Sequence, residues 1–329
     1  MNVKGGPLRL GAFGLNLDSQ RNIGHPEQKR NKTGWSLKPG LDMGISFNTI
    51  PLTPVFGAEI VDVDLSADTG QDLFSLIYQA FLDYQVLVFR RQNMSSADHV
   101  RFARLFGEVQ IHVMNQYHAD SHPELYLLSN LDENGFPNGQ HPDQGTLAWH
   151  TDGSWERITG QATMIYSVEI PARGGETEIC DMYGAYDELD QTTRDYYETL
   201  HVMHSLDYSR SRNHAHEPLT EEQKRAVPPV KHPLVRTHPE TGRRCMYLGD
   251  HAETVVGMDY AIGQALVDEI NNQLVKPERV YSHQWQPNEF MIWDNRCVMH
   301  RSRPFDTTHD RRVVRRCTVL GEVPWLVKT

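Results

Sequence analysis

The chain has 329 residues, 39% hydrophobic and 23% charged, an ordinary balance for a globular protein able to bury a sizeable core. Its formal net charge of -11 argues against a nucleic-acid partner, because backbone phosphates demand a basic surface, yet a local arginine cluster can still hold a small anion. The four cysteines are scattered without a CxxC pair, no signal-like apolar run opens the chain, and no stretch approaches about 18 apolar residues; we expect a cytoplasmic protein with reduced thiols and no membrane span.

Residues 1–44 are rich in Gly, Asn and Lys and are expected to form a weakly ordered or surface-draped extension, with one domain over residues 45–329. "AEIVDVDLS" alternates apolar and polar residues and predicts a strand, "DLFSLIYQAFLDYQ" has helical spacing, and "VLVFR" is a short buried strand. Ser95 with Asp98 three residues on predicts a capped helix start, and Gly107 its stop. The Asn-, Gly-, Pro- and Asp-rich stretch from Asn130 to Gly145 predicts a long loop, a candidate lid. Further on, "ATMIYSVEI" and "ETEICD" predict strands, and "AYDELDQTTRDYYETL" and "YAIGQALVDEINNQL" predict helices. "VKHPLVRTHPETGRRCMYLG" predicts a hairpin turning at "PETG", and "VYSHQW", "EFMIWD" and "RRVVRRCTVLGE" are expected closing strands. Many strands, few helices and no βαβ alternation suggest a mainly β architecture, a barrel or jelly roll with helical insertions.

His-x-Asp occurs three times, at His118-Ala119-Asp120, His141-Pro142-Asp143 and His150-Thr151-Asp152, so the spacing alone is weak. The first two sit in polar, loop-like surroundings. The third follows Leu147, Ala148 and Trp149, and on an extended segment residues two apart share a face, so both side chains can reach one ion. Two histidines and one carboxylate form the ligand set of non-haem Fe(II) oxygenases. His300, in the apolar-flanked stretch "CVMHR", is a candidate third ligand, the competing reading being a satisfied core histidine. In "RRVVRRCTVL", Arg312, Val314 and Arg316 share one strand face. Two inward guanidiniums would call for anions; the competing reading is a solvated basic edge strand.

Taken together, "WHTDGSW", "GGETEICDM", "HPLVRTHPETGR", "WDNRCVMHRS" and "RRVVRRCTVLGE" resemble, in order and spacing, the Fe(II)/2-oxoglutarate-dependent dioxygenases of the taurine and 2,4-dichlorophenoxyacetate dioxygenase family, from about Ile45 to Val323. The resemblance implies a double-stranded β-helix, or jelly roll, with helical insertions. It implies an iron triad at His150, Asp152 and His300. It implies a 2-oxoglutarate pocket using Thr177 and Arg312, with Arg316 facing the substrate's anionic head or the cosubstrate's inner end. His112 in "QIHVMNQ" corresponds to a substrate-facing histidine. Asn115 stands where a tyrosine accompanies it in taurine enzymes, a departure that weighs against taurine as substrate. The expected cofactors are Fe(II), 2-oxoglutarate and O2, and the expected reaction oxidises a C–H bond of a small organic anion, next to a heteroatom, giving succinate and CO2. Aryloxyalkanoates or sulfonates fit that description, and family habit implies a dimer or tetramer. Two alternatives stand beside it: a hydroxylase of an amino acid or natural product using the same site, and a non-catalytic cupin-like metal- or anion-binding protein, which would not require Thr177, Arg312 and Arg316.

Overall fold

The computed structural model of the chain describes residues 46–213 and 218–321, so the expected extension over residues 1–44 lies outside the described residues. Strands β1 (Asn48–Pro51) and β2 (Ala58–Val61) lead to helix α1 (Gly70–Tyr84), strand β3 (Val86–Phe89) and helix α2 (Ser96–Phe106). Strands β4 (His118–Ala119) and β5 (His122–Ser129) precede an irregular segment, followed by β6 (Gly160–Glu169) and β7 (Thr177–Asp181). Then come α3 (Met182–Asp187), α4 (Gln191–Tyr197), β8 (His201–His204), α5 (Leu206–Asn213) and α6 (Glu221–Ala226). Strands β9 (Val230–Pro233), β10 (Val235–Thr237), β11 (Arg244–Met246) and β12 (Ala252–Val255) lead to α7 (Tyr260–Leu274). The last strands are β13 (Val280–His283), β14 (Phe290–Asp294), β15 (Val298–Ser302) and β16 (Val313–Leu320). Among the described residues no helix is long and apolar enough to cross a membrane.

The local signals explain where these elements start and stop. Ser95 and Asp98 form the expected reciprocal cap of α2. The predicted strand from Ala58 ends early at Val61 because Asp62 turns to a φ of 65°, which breaks the pleat. The single helix expected over residues 185–200 is two, α3 and α4. Asp190 accepts a hydrogen bond from the Thr193 amide at 3.0 Å and so starts a new helix where the first one ends. The expected hairpin over residues 230–249 is real only between β10 and β11; β9 pairs with β8 instead, in a separate sheet with β12.

An eight-stranded sheet runs β1-β2-β3-β14-β6-β16-β5-β4, antiparallel except for β2 and β3, and a three-stranded antiparallel sheet runs β13-β7-β15. Alternate residues of the large sheet face two apolar clusters, as a period of two requires. Val86, Val88, Met291, Trp293 and Val314 join Ile179, Val298 and Met299 of the small sheet in one core. Their neighbours Leu87, Phe89, Phe290, Ile292 and Cys317 pack with Ile77, Phe81, Phe102 and Phe106 of α1 and α2 in the other. The strand that bears arginines therefore has one inward face. Arg312, Val314 and Arg316 are buried there, while Arg311 on the other face is paired with Glu169 at the surface.

Two polar locks hold the turns around the first core. Asp294, at the end of β14, accepts from Arg296 Nε at 2.8 Å and Nη2 at 2.7 Å, and shares its Oδ2 with His238 Nε2 at 3.0 Å. This fork fixes the turn that launches β15. Asp294, His238 and Cys297 lie close enough together to suggest a cation site, but the guanidinium already supplies the positive charge there. Asn130, fully buried, donates to the Asp310 and Thr307 carbonyls at 2.8 and 3.3 Å and accepts from the Arg312 amide at 2.8 Å. It thereby pins the start of the 130–145 loop to the segment that delivers Arg312. Asn130→Ala leaves a buried N–H and carbonyls unmatched and is expected to cost ~1–3 kcal/mol, read as a lowered midpoint in urea denaturation.

Candidate functional site

His150 lies on an extended segment that forms an isolated bridge with β15: its amide donates to the His300 carbonyl at 2.9 Å, and the His300 amide returns the bond at 2.8 Å. Directly opposed residues of an antiparallel pair project to the same side, and the two imidazole centroids are 4.2 Å apart. Asp152, two residues on, reaches both rings: Oδ1 is 3.7 Å from His150 Nε2 and Oδ2 is 3.4 Å from His300 Nε2. All three side chains are buried, and one ligand atom of each lies within 4.8 Å of the others. His118-Ala119-Asp120 and His141-Pro142-Asp143 form no such cluster among the described residues.

The protonation pattern suits a divalent cation. His150 Nδ1 lies 2.8 Å from the Ala148 carbonyl, which can only accept, so Nδ1 carries a proton and Nε2 is the nitrogen turned toward Asp152. Burial, then the neighbouring His150, hold His300 well below the usual imidazole range, so it is a neutral ring. Its Nδ1 has no partner among the described residues; the Trp293 ring, 4.5 Å away between centroids, holds it by packing instead. Burial raises the Asp152 pKa, but the Arg316 guanidinium, the two imidazoles and the Thr163 hydroxyl together hold it well below the carboxylate range. Two imidazoles and one carboxylate at such spacing match an Fe(II) site with open positions.

Arg316 extends Nη1 to 3.3 Å from Asp152 Oδ1 and lies 4.5 Å over the Tyr126 ring. Arg312 has no such counter-charge among the described residues. It is buried, its Nε has no hydrogen-bond partner among the described residues, and desolvation alone pushes its pKa down to about 10. A lone buried guanidinium is costly unless something anionic joins it. The Gly174-Gly175 turn passes it closely; a Cβ on Gly175 would stand 3.3 Å from Arg312 Nε. Two residues later, Thr177 Oγ1 accepts from the Trp285 indole at 3.0 Å, which leaves the hydroxyl proton free to donate. Trp285, just past β13, was not singled out from the sequence, because a lone tryptophan carries no signal beyond core packing.

Beside the triad lies a cavity of about 50 Å³ bordered by His112, Met114, Tyr126, Trp155 and Arg316. His112 Nδ1 accepts the Met114 amide at 3.1 Å, and burial, then Arg316, push its pKa down to about 3. The ring is therefore neutral with its N–H at Nε2. Asn115, expected to face the substrate, is instead exposed at the start of a one-turn 3-10 helix and does not border the cavity; the Met114 side chain does. The 130–145 loop also differs from a uniform lid. Residues 132–137 form a tight hairpin tied down by Asn130 and Arg311, whereas Asp143, Gly145 and Thr146 border the cavity. Across from them Leu206, Ser209 and Arg210 of α5 complete the roof.

Gly249 is a further residue that the sequence did not single out. It has φ of 117°, and a Cβ there would come within 2.9 Å of His150 Cα. The next amide, Asp250, donates to the Trp149 carbonyl at 2.8 Å. The backbone of His150 is thus clamped between β15 and this turn. Gly249→Ala is expected to cost ~1–3 kcal/mol through overpacking, visible in urea melts of the metal-free protein, and to loosen metal binding at His150.

Residues 48–318 match the family model described as "Taurine catabolism dioxygenase TauD, TfdA family". The chain is 35% identical over 280 residues, 83% of its own length and 97% of the relative's, to an alpha-ketoglutarate-dependent 2,4-dichlorophenoxyacetate dioxygenase of Cupriavidus pinatubonensis. It is 30% identical over 281 residues, 83% of its own length and 84% of the relative's, to an alkylsulfatase of Acinetobacter baylyi. Among solved structures, that of AAD-2 in complex with Mn(II) and N-oxalylglycine superposes with a TM-score of 0.73 at 31% identity, covering 85% of this chain and 99% of that one.

Proposed function

Because the chain belongs to the taurine catabolism dioxygenase TauD, TfdA family and is an Fe(II)/2-oxoglutarate-dependent dioxygenase, we propose that it oxidises a C–H bond of a small organic anion next to a heteroatom, of the aryloxyalkanoate or sulfate-ester type. The observation that carries this reading is the pairing of a buried His-Asp-His cluster with two inward arginines on one strand, only one of which has a carboxylate partner among the described residues. Relatives named for phenoxy acids and for alkyl sulfates share the family, and both kinds of substrate set an anionic group near an oxidisable carbon. The frame is a double-stranded β-helix, a reading supported by the two antiparallel layers that share one core, and residues 45–329 form its single domain.

His150, Asp152 and His300 would hold the ferrous ion. When bound, the iron supplies, with 2-oxoglutarate and O2, the oxidising power that turns C–H into C–OH while the cosubstrate becomes succinate and CO2. Arg312 receives the far carboxylate of 2-oxoglutarate through its planar fork, and the free proton of Thr177 donates to the same group. Arg316 neutralises Asp152 and shows its remaining N–H groups to the cavity, where an anionic substrate head docks beside His112 Nε2–H. Trp155, Met114 and Tyr126 supply apolar walls that exclude water. Hydroxylation next to an ether or ester oxygen gives a hemiacetal-like product that falls apart, releasing a phenol or sulfate. The test is a panel of aryloxyacids, alkyl sulfates, sulfonates and amino acids, scored for succinate together with phenol, sulfate or sulfite. Succinate formation with released phenol or sulfate is expected; turnover confined to amino acids without a released group would replace the substrate class.

A further inference from the structure

We propose that Trp293, Asn295 and Thr163 form a one-way hydrogen-bond relay whose work is to hold the Asp152 carboxylate in its metal-binding orientation. This rests on the metal assignment above and adds positioning residues to it. The four side chains are buried, with Trp293 and Asn295 on the turn side of β14, Thr163 in β6 and Asp152 on the segment after His150. The Trp293 indole N–H donates to Asn295 Oδ1 at 3.0 Å. Indole nitrogen only donates, so the amide orientation of Asn295 is fixed and its NH2 must face the other way. That NH2 donates to Thr163 Oγ1 at 2.8 Å. The Thr163 oxygen is thereby used as an acceptor, and its proton is left for Asp152 Oδ2, 2.7 Å away. The direction of every bond follows from one end of the chain. Thr318 Oγ1 is farther from Thr163 Oγ1, at 3.4 Å, than Asp152 Oδ2, and with the Thr163 proton directed to Asp152 it can only donate in that contact.

The consequence at Asp152 is a carboxylate gripped from two sides, by Thr163 on Oδ2 and by Arg316 Nη1 on Oδ1. Neither oxygen can swing away from the two imidazoles without breaking one of these bonds. Trp293 also packs on the His300 ring, so one side chain steadies a histidine by contact and the carboxylate through the relay. Close packing keeps the relay in place: a Cβ on Gly160 would stand 3.2 Å from Asn295 Nδ2 and 2.7 Å from the Asp152 carbonyl. Groups that orient a metal ligand from behind typically contribute 10–100-fold to metal affinity.

The experiment is a titration of the metal-free protein with Co(II), followed by its visible absorption, alongside thermal melting of the metal-free variants. Thr163→Val keeps the shape and removes the proton; its Co(II) Kd is expected to rise about 10–100-fold. Thr163→Ser keeps the proton and is expected to bind within a few-fold of the native chain. Asn295→Asp tests the direction, because an acceptor in place of the NH2 draws the Thr163 proton away from Asp152; affinity should fall as for Thr163→Val. Co(II) binding by both Thr163→Val and Asn295→Asp within twofold of the native protein overturns the relay, as does a Thr163→Ser protein that loses as much as Thr163→Val. Should Thr163→Val fail to fold, Thr163→Ser and Asn295→Asp decide the matter by the same criteria. A native protein that takes up no Co(II), or an Asp152→Ala protein that takes it up equally well, overturns the metal assignment itself and the relay with it.

Discussion

Arg312→Met is expected to weaken 2-oxoglutarate binding about 10²–10³-fold while making the ligand-free protein more stable to heat. The two effects have one cause. In the ligand-free chain the Arg312 guanidinium is buried, with Nε unmatched and no carboxylate within ion-pair reach among the described residues, so only the Phe305 ring, 6.0 Å from Cζ, offsets its desolvation. Methionine fills a similar volume with no charge to desolvate. In the proposed role the cosubstrate carboxylate would provide the missing anion, and losing one partner of such a buried charge pair costs ~2–5 kcal/mol. Isothermal titration with 2-oxoglutarate in the presence of metal measures the first effect and calorimetric melting of the ligand-free protein the second. A fall in melting temperature on removing the charge would show that Arg312 is already satisfied within the fold and would remove it from the cosubstrate site.

Asp152→Ala is expected to abolish metal uptake and turnover, and to destabilise the metal-free protein, the opposite sign from Arg312→Met. The carboxylate is the single anionic member of the ligand cluster and also the partner of Arg316. Removing it leaves only two imidazoles for the ion and a buried guanidinium without its carboxylate partner, a loss of ~3–5 kcal/mol by the general cost of breaking buried pairs. Dialysis against Fe(II) under anaerobic conditions followed by metal analysis reads the binding, and urea denaturation reads the stability. Stoichiometric iron in Asp152→Ala would place the metal elsewhere. Because the two arginines share one face of one strand, this pair of substitutions separates the buried cation that has a partner from the one that awaits it.

Much of the candidate site was legible in the sequence because its signals are local or periodic. His150 and Asp152 share a face by the period of two, and the same period put Val314 and Arg316 inward on β16 and Arg312 inward just before it. His300 needed more, since its meeting with His150 depends on a bridge across 150 residues of chain; the family resemblance supplied what periodicity could not. The parts that escaped notice are those whose role exists only in three dimensions. Gly249 looks like any turn glycine until His150 Cα is seen beside it. Asn295 resembles a turn former, and its amide orientation is set by an indole two residues away. Asn115 was placed by analogy of position, and a single turn of 3-10 helix was enough to send it to the surface. The helix expected over residues 185–200 was divided by Asp190, whose capping preference outweighed the apolar spacing on either side.

The cavity beside the metal cluster draws its floor and its ceiling from different kinds of chain. Strands and the bridge at His150 supply the former, while Asp143, Gly145, Thr146 and the short α5 supply the latter. Both parts border the same small cavity of about 50 Å³, so each helps to set its shape. Chemistry and selectivity are thereby lodged in separable parts of the molecule: exchanging the 143–146 segment or the α5 turn would redirect the oxidant to new compounds without rebuilding the scaffold that generates it.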